Sequence, residues 1–194
     1  MMYDLIGAIA SLLSTYYFIR QNNKAWMIAL LATSMNGWLY WQKGIYADMC
    51  LESFYFLSAG YGWYHWTTSP KSYENPKSLT FLTSRQWLHL LTAGSILYAV
   101  IFYLLINHSH STVARLDALT TSLSLIAQWL MCHKVIATWF LWFLADALYA
   151  FMYWQKELPF HALLMITYTG LAIVGYIVWL IRYSEGQTMD VPKV

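Results

Sequence analysis

Seven apolar runs divide the chain, at about 5–19, 25–42, 45–66, 87–106, 117–132, 135–154 and 159–181. A helix crosses the hydrocarbon layer with about 20 residues. Most of the runs are of that order, and the first and fifth are expected to gain length from their flanks. The breaks are 20–24, Lys43-Gly44, a long polar stretch 67–86, a second at 107–116, Cys132-His133-Lys134 and Lys156-Glu157. Ser, Pro and Lys crowd the 67–86 stretch, which reads as a linker rather than a domain. The pattern predicts an all-α, polytopic membrane protein with seven transmembrane helices.

An internal repeat emerges at an offset of 113 residues. Tyr40-Trp41-Gln42-Lys43 returns as Tyr153-Trp154-Gln155-Lys156, Trp26 as Trp139, Gly62 as Gly175 and Trp66 as Trp179. Each copy holds three spans and the fourth lies between them, so both copies share one orientation. This 3+1+3 parallel repeat predicts a first three-helix repeat at 1–66, a loop and central helix at 67–116, a second repeat at 117–182 and a tail at 183–194. Parallel repeats are known in small transporters, whose sites lie between the copies near the midplane.

Composition supports the membrane reading. The 194 residues are 59% hydrophobic and only 10% charged, against about a quarter charged in soluble domains. A net charge of +2 without a basic run excludes a nucleic-acid partner. Basic residues set the orientation. Arg20, Lys24, Lys71, Lys77, Arg85, Lys134, Arg182 and Lys193 fall on one side and only Lys43, Arg115 and Lys156 on the other. The first side is therefore cytoplasmic, with the N-terminus outside and the C-terminus inside. Met1-Met-Tyr-Asp4 shows no removable signal peptide. Cys50 and Cys132 fall near opposite membrane faces, too far apart for a disulfide, and are expected as free, buried thiols. His108-Ser-His110 is a weak metal signal, and no metal, cofactor or nucleotide motif is read.

The chemistry concentrates on two helical faces. At about 100° per residue, Trp139, Trp142, Asp146, Tyr149 and Tyr153 share one quadrant of the sixth span. An ionisable residue inside a membrane points to function by default, and packing is the plain alternative. Asp48, Glu52, Tyr55, Ala59, Trp63 and Trp66 share a face of the third span. Glu52 and Asp146 are expected at a similar depth, about 10–13 Å from the outer end. The repeat is broken at these acids: Asp146 corresponds to Thr33, Trp142 to Ala29 and Glu52 to Met165. The candidate substrate-binding set is Trp139, Trp142, Asp146, Glu52, Tyr149, Tyr55 and Trp63. An intramembrane enzyme using Asp146 and Glu52 as acid and base is the rival class, but no nucleophile or metal set accompanies them, so the chain reads as no enzyme. Ion coupling stays open, because both acids could titrate.

Tyr61-Gly62-Trp63-Tyr64-His65-Trp66, together with Trp139-x-x-Trp142-x-x-x-Asp146, resembles the PnuC family of bacterial vitamin transporters across all seven spans. The resemblance implies facilitated diffusion through the inner membrane, trapping of the vitamin by intracellular phosphorylation, a homotrimer, and a fold like that of full-length SWEET transporters. Trp139 and Trp142 match the family's substrate-stacking tryptophans. Asp146 stands where the nicotinamide riboside branch has Asn, Glu52 where it has Gln, and Ala59 where some members have Asn. Amides pair reciprocally with a carboxamide, whereas carboxylates accept from the amine of an aminopyrimidine. The acids therefore favour thiamine, the thiamine-type branch being the expectation and nicotinamide riboside the alternative.

Overall fold

In the computed structural model the described residues are 2–42, 44, 46–68, 78–108, 113–155, 157 and 159–188. They form seven helices: α1 (Met2–Ile19), α2 (Lys24–Gln42), α3 (Tyr46–Thr68), α4 (Ser84–His108), α5 (Ala114–Cys132), α6 (Ala137–Gln155) and α7 (Pro159–Thr188). The protein is all-α; among the described residues the only β pairing is an isolated bridge between Thr80 and Val135. The side chains of Asp4 and Asp48, together with Lys43, Lys71, Lys77, His110, Lys156, Lys193 and residues 69–77 of the 67–86 stretch, lie outside the described residues.

The two short runs lengthen at their N-terminal ends, as expected. α7 runs on to Thr188, past the expected end at 181, because Arg182 anchors the extension by donating from Nη1 to the Arg20 carbonyl at 2.9 Å. α4 and α7 are long and apolar enough to cross a membrane by length and composition alone. No residue of α4 is fully buried, as suits a helix whose apolar sides face lipid.

The turns explain where the helices stop. Gln21 and Lys134 have φ of +55° and +54°, the left-handed conformation that closes a helix. Gln21 donates to the Phe18 carbonyl and Asn22 to that of Tyr17, both at 2.9 Å. Lys134 donates to Met131 and Val135 to Leu130, at 3.2 and 3.1 Å. Both are Schellman turns, 113 residues apart. The next turns match as well: Gly44 (φ +70°) donates to the Trp41 carbonyl and Glu157 (φ +57°) to that of Trp154, both at 3.1 Å. Asn22 then caps α2, its Oδ1 accepting from Lys24 N at 2.9 Å. At α4, Thr83 and Gln86 form a capping box, with Thr83 N donating to Gln86 Oε1 at 2.8 Å.

The described end of the 67–86 stretch is held against the protein. Ser78 and Leu79 are buried, and Thr80 accepts from Ile136 N at 3.0 Å. The apolar Leu79, Phe81 and Leu82 draw this segment onto protein rather than leaving it in solvent. Cys132 is a buried free thiol as expected, but Cys50 is exposed because it falls on the outer side of α3.

Two compact units result, each with its own core. The first comprises Met1–Leu79, Met131–Lys134 and Val178–Val194; the second comprises Thr80–Leu130 and Val135–Ile177. In the first, Phe18, Trp26, Trp66 and Trp179 form an aromatic cluster, with Phe18–Trp26 and Trp26–Trp66 edge-to-face at 4.6 and 5.3 Å. Trp66 donates its indole N–H to the Met131 and Cys132 carbonyls at 3.2 and 3.0 Å. Trp179 donates to Phe18 and Ile19, at 3.2 Å each. Every member of one set lies 113 residues from its counterpart in the other. The third helix of each triplet thus fastens to the end of the other triplet's first helix. In the second unit, Ala127, Leu130, Val135, Ala137 and Leu141 form the core.

Glycine explains why the tryptophans fit. A Cβ at Gly62 would lie 2.3 Å from the Trp26 ring, and one at Gly175 2.5 Å from the Trp139 ring. Each glycine is a seat for an indole, and any side chain there would displace it.

Candidate functional site

The second unit carries the polar-aromatic stripe. α6 places Asp146 inward at 8% exposure among helices otherwise filled with apolar side chains. Among the described residues, no hydrogen-bond donor or cation pairs with its carboxylate. A buried carboxylate without a protein partner is costly, and a charged ligand would relieve that cost. One turn on, the Tyr149 phenol faces the hydroxyls of Thr120, Thr121 and Ser124 on α5, with Asp117 nearby. Tyr149 also stacks on Tyr153, with centroids 6.0 Å apart and planes 17° from parallel. Beyond facing that phenol, the buried Ser124 hydroxyl meets no hydrogen-bond partner among the described residues.

Asp117, Thr120, Thr121, Ser124 and Gln128 recur at helical spacing on one face of α5. The sequence reading missed this hydroxyl face as a functional element. Its signal was present, as polar residues at three- and four-residue intervals inside an apolar run.

The two expected stacking tryptophans differ. Trp139 is 2% exposed over Gly175, repeating the packing of the fully buried Trp26 over Gly62. Trp142 is half-buried, with part of its ring against the α5–α6 core. Trp142 has no counterpart in the first triplet, where Ala29 stands. A cavity of ≈ 300 Å³ in the same unit is lined by Trp87, Trp139, Phe140, Phe143, Ile173 and Tyr176, among others. Neither Asp146 nor Tyr149 reaches it. With an apolar wall and no charge, it lacks the few convergent polar groups that orient a ligand, so the α5–α6 face is the stronger site.

The third-span residues lie in the first unit. Glu52 is half-buried and its Oε1 accepts from Asn36 Nδ2 of α2 at 3.3 Å. Tyr55 is half-buried and its carbonyl accepts from Ser58 Oγ at 2.9 Å. Ala59 and Trp66 are buried, whereas Trp63 stands at the edge of that face and is 44% exposed. Asn36 was not anticipated; it corresponds to Tyr149 at the repeat offset, which was the available clue. The same unit holds a Tyr61, His65 and His133 cluster, with Tyr61 Oη 3.3 Å from His133 Nε2 and the imidazole centroids 5.0 Å apart.

These features define a multi-pass, all-α membrane protein built on a duplicated three-helix motif, with an acid that no described residue pairs with and an aromatic stripe on one helix. The chain belongs to the nicotinamide mononucleotide transporter family, the PnuC family its motifs resemble, whose profile matches residues 1–181. The nicotinamide riboside transporter PnuC of Neisseria mucosa is 24% identical over 195 residues, covering 94% of this chain and 74% of that one. Its Escherichia coli namesake is 22% identical, covering 91% and 84%. A crystal structure of the vitamin B3 transporter PnuC superposes with a TM-score of 0.74 at 21% identity, over 93% of this chain and 81% of the other. That likeness establishes the fold.

Proposed function

We propose that the chain is a facilitative transporter of a cationic, aromatic, water-soluble vitamin, with nicotinamide riboside as the leading substrate. The observation that carries this reading is Asp146, a buried carboxylate with no partner among the described residues, on the same helix face as the Trp142 and Tyr149 rings. A pyridinium carrying a carboxamide suits it: the carboxylate balances the fixed charge and accepts from the amide N–H, while the Trp142 ring offers a cation–π face. The names of the relatives favour nicotinamide riboside over thiamine, reversing the order that Asp146 and Glu52 suggested. Thiamine is the second reading, since it is also a fixed cation and its amine suits a carboxylate acceptor.

Tyr55 and Glu52 of α3 are further members of the proposed set, Trp63 a peripheral one, and Trp139 the ring that backs Trp142. Transport is downhill, through a bacterial inner membrane with the N-terminus outside, as the basic residues imply, and phosphorylation inside the cell traps the vitamin. A homotrimer, with α4 offering an unburied apolar surface, completes the reading; the mass of the detergent-solubilised protein tests it.

Calorimetry with nicotinamide riboside, thiamine and uncharged riboflavin tests the substrate. Tightest binding of nicotinamide riboside is expected; thiamine alone would reverse the order again, and riboflavin alone would remove the role given to Asp146. In liposomes uptake should stop at equal concentrations. Accumulation driven by an imposed proton or sodium gradient would overturn the facilitator reading.

A further inference from the structure

Given the substrate role proposed for Glu52, something must hold its carboxylate in one orientation. We propose that Asn36 is the positioning residue for Glu52, seated on Gly7, so that a Gly7–Asn36–Glu52 relay from α1 through α2 to α3 fixes the polar edge this triplet offers to substrate. The Asn36 amide donates from Nδ2 to Glu52 Oε1 at 3.3 Å, across 16 residues and two helices. Its other end is fixed as well: a Cβ at Gly7 would lie 2.5 Å from Asn36 Oδ1. The amide thus has one sensible orientation, its NH2 towards the carboxylate and its oxygen over the glycine, because an oxygen facing a carboxylate would repel. At Gly37, the next residue on α2, a Cβ would make ordinary contact with Glu52 Cβ at 3.6 Å, so α2 and α3 lie close at this level.

The second triplet shows the slot is built for a polar side chain. Gly7, Asn36 and Glu52 correspond to Thr120, Tyr149 and Met165, and the Tyr149 phenol faces Thr120 as the Asn36 amide faces Gly7. The middle position reaches towards the first helix of its triplet in both cases. Only the first triplet puts an acid at the third position, and only there does the middle residue have a carboxylate to orient.

The test uses the full chain in lipid nanodiscs, with nicotinamide riboside and thiamine as calorimetric probes. Glu52→Gln alone should weaken binding of the better probe by about tenfold or more, since it removes a charged partner. Asn36→Asp opposes two carboxylates and should weaken it by a similar factor. In the exchanged pair, Asn36→Asp with Glu52→Gln, the hydrogen bond re-forms with donor and acceptor reversed and the clash is gone, so affinity should recover above that of Asn36→Asp, to about that of Glu52→Gln. A merely structural Asn36 would give additive losses without rescue, which overturns the proposal. So does wild-type affinity in Asn36→Asp when Glu52→Gln is impaired. Unchanged affinity in Glu52→Gln removes the substrate role of Glu52 and the relay with it, a result distinct from the previous two. Should Asn36→Asp fail to fold, Gly7→Ala shifts the amide with every polar group retained; a severalfold loss supports the relay and unchanged affinity overturns it.

Discussion

The triplets α1–α3 and α5–α7 are the same construction put to different use. Their turns share left-handed residues at matched positions, Gln21 with Lys134 and Gly44 with Glu157. Each seats an indole on a glycine, and each fastens its third-helix tryptophan to a pair of first-helix carbonyls. Even the side-chain bond between the first and second helices recurs with its direction reversed. Ser14 donates to the Ala25 carbonyl at 3.0 Å, and Thr138 to that of Ala127 at 2.7 Å, residues that align as 14 with 127 and 25 with 138. What is not shared is polar or aromatic and inward: Trp142 against Ala29, Asp146 against Thr33, Tyr149 against Asn36, and Glu52 against Met165. Duplicated features are therefore framework, and the unduplicated ones supply the residues of the proposed site.

The sharpest break of that comparison is Asp146→Asn against Thr33→Val. The first should cost thiamine binding about 2–5 kcal/mol, because a charged partner is lost, and nicotinamide riboside less, because an amide can still pair with its carboxamide; the second should leave calorimetric affinity near that of the wild type. The same Asp146→Asn should raise the melting temperature without substrate, since it removes a buried charge that no described residue pairs with. A loss of both affinity and stability would make Asp146 a structural residue.

Gly62→Ala and Gly175→Ala test the shared framework. Either methyl must displace an indole, and overpacking of this kind costs about 1–3 kcal/mol. Thermal unfolding in detergent should show comparable losses for the two. If one is tolerated and the other is not, the triplets are not equivalent at their cores.

A smaller effect separates the two fastening tryptophans. Trp66→Phe and Trp179→Phe each remove an indole donor shared by two carbonyls, worth about 1 kcal/mol. Trp66 should cost more, because the Lys134 ammonium lies 4.8 Å from its ring centroid, a cation–π contact worth about 0.5–1 kcal/mol. Equal melting temperatures for the two variants would show that this contact adds nothing.

How much of this could be read in the sequence follows from the physics of each feature. The helices, the 113-residue offset and the α6 stripe rest on period and on large residues, which a single chain displays. Asn36 carried only one clue, its correspondence to Tyr149, since its meaning depends on Glu52 sixteen residues away on another helix and on the missing Cβ of Gly7. The left-handed turns were masked too: only Gly44 advertises one, while Gln21, Lys134 and Glu157 adopt a conformation their side chains disfavour. Trp139 and Trp142 looked alike by spacing; the repeat, which copies Trp139 as Trp26 and sets Ala29 against Trp142, and the glycine beneath Trp139 tell them apart.

Lys134 gives the smallest expected effect. It sits in the α5–α6 turn, 4% exposed, with Nζ 3.3 Å from Ser78 Oγ, where its counterpart is the neutral Gln21. Burial pushes its ammonium down from 10.5 to about 8. The unfolded chain holds that proton up to about pH 10.5, the folded protein only to about pH 8, so between these values the unfolded state binds more protons. Stability should therefore rise as pH climbs from about 8 to 10.5, and the full cost of burying the charge is present below about 8. Lys134→Gln, which copies the other turn, should flatten that slope and raise the melting temperature at pH 7. A slope in melting temperature that survives the substitution would mean that another group titrates, and that the two turns differ in charge without differing in stability.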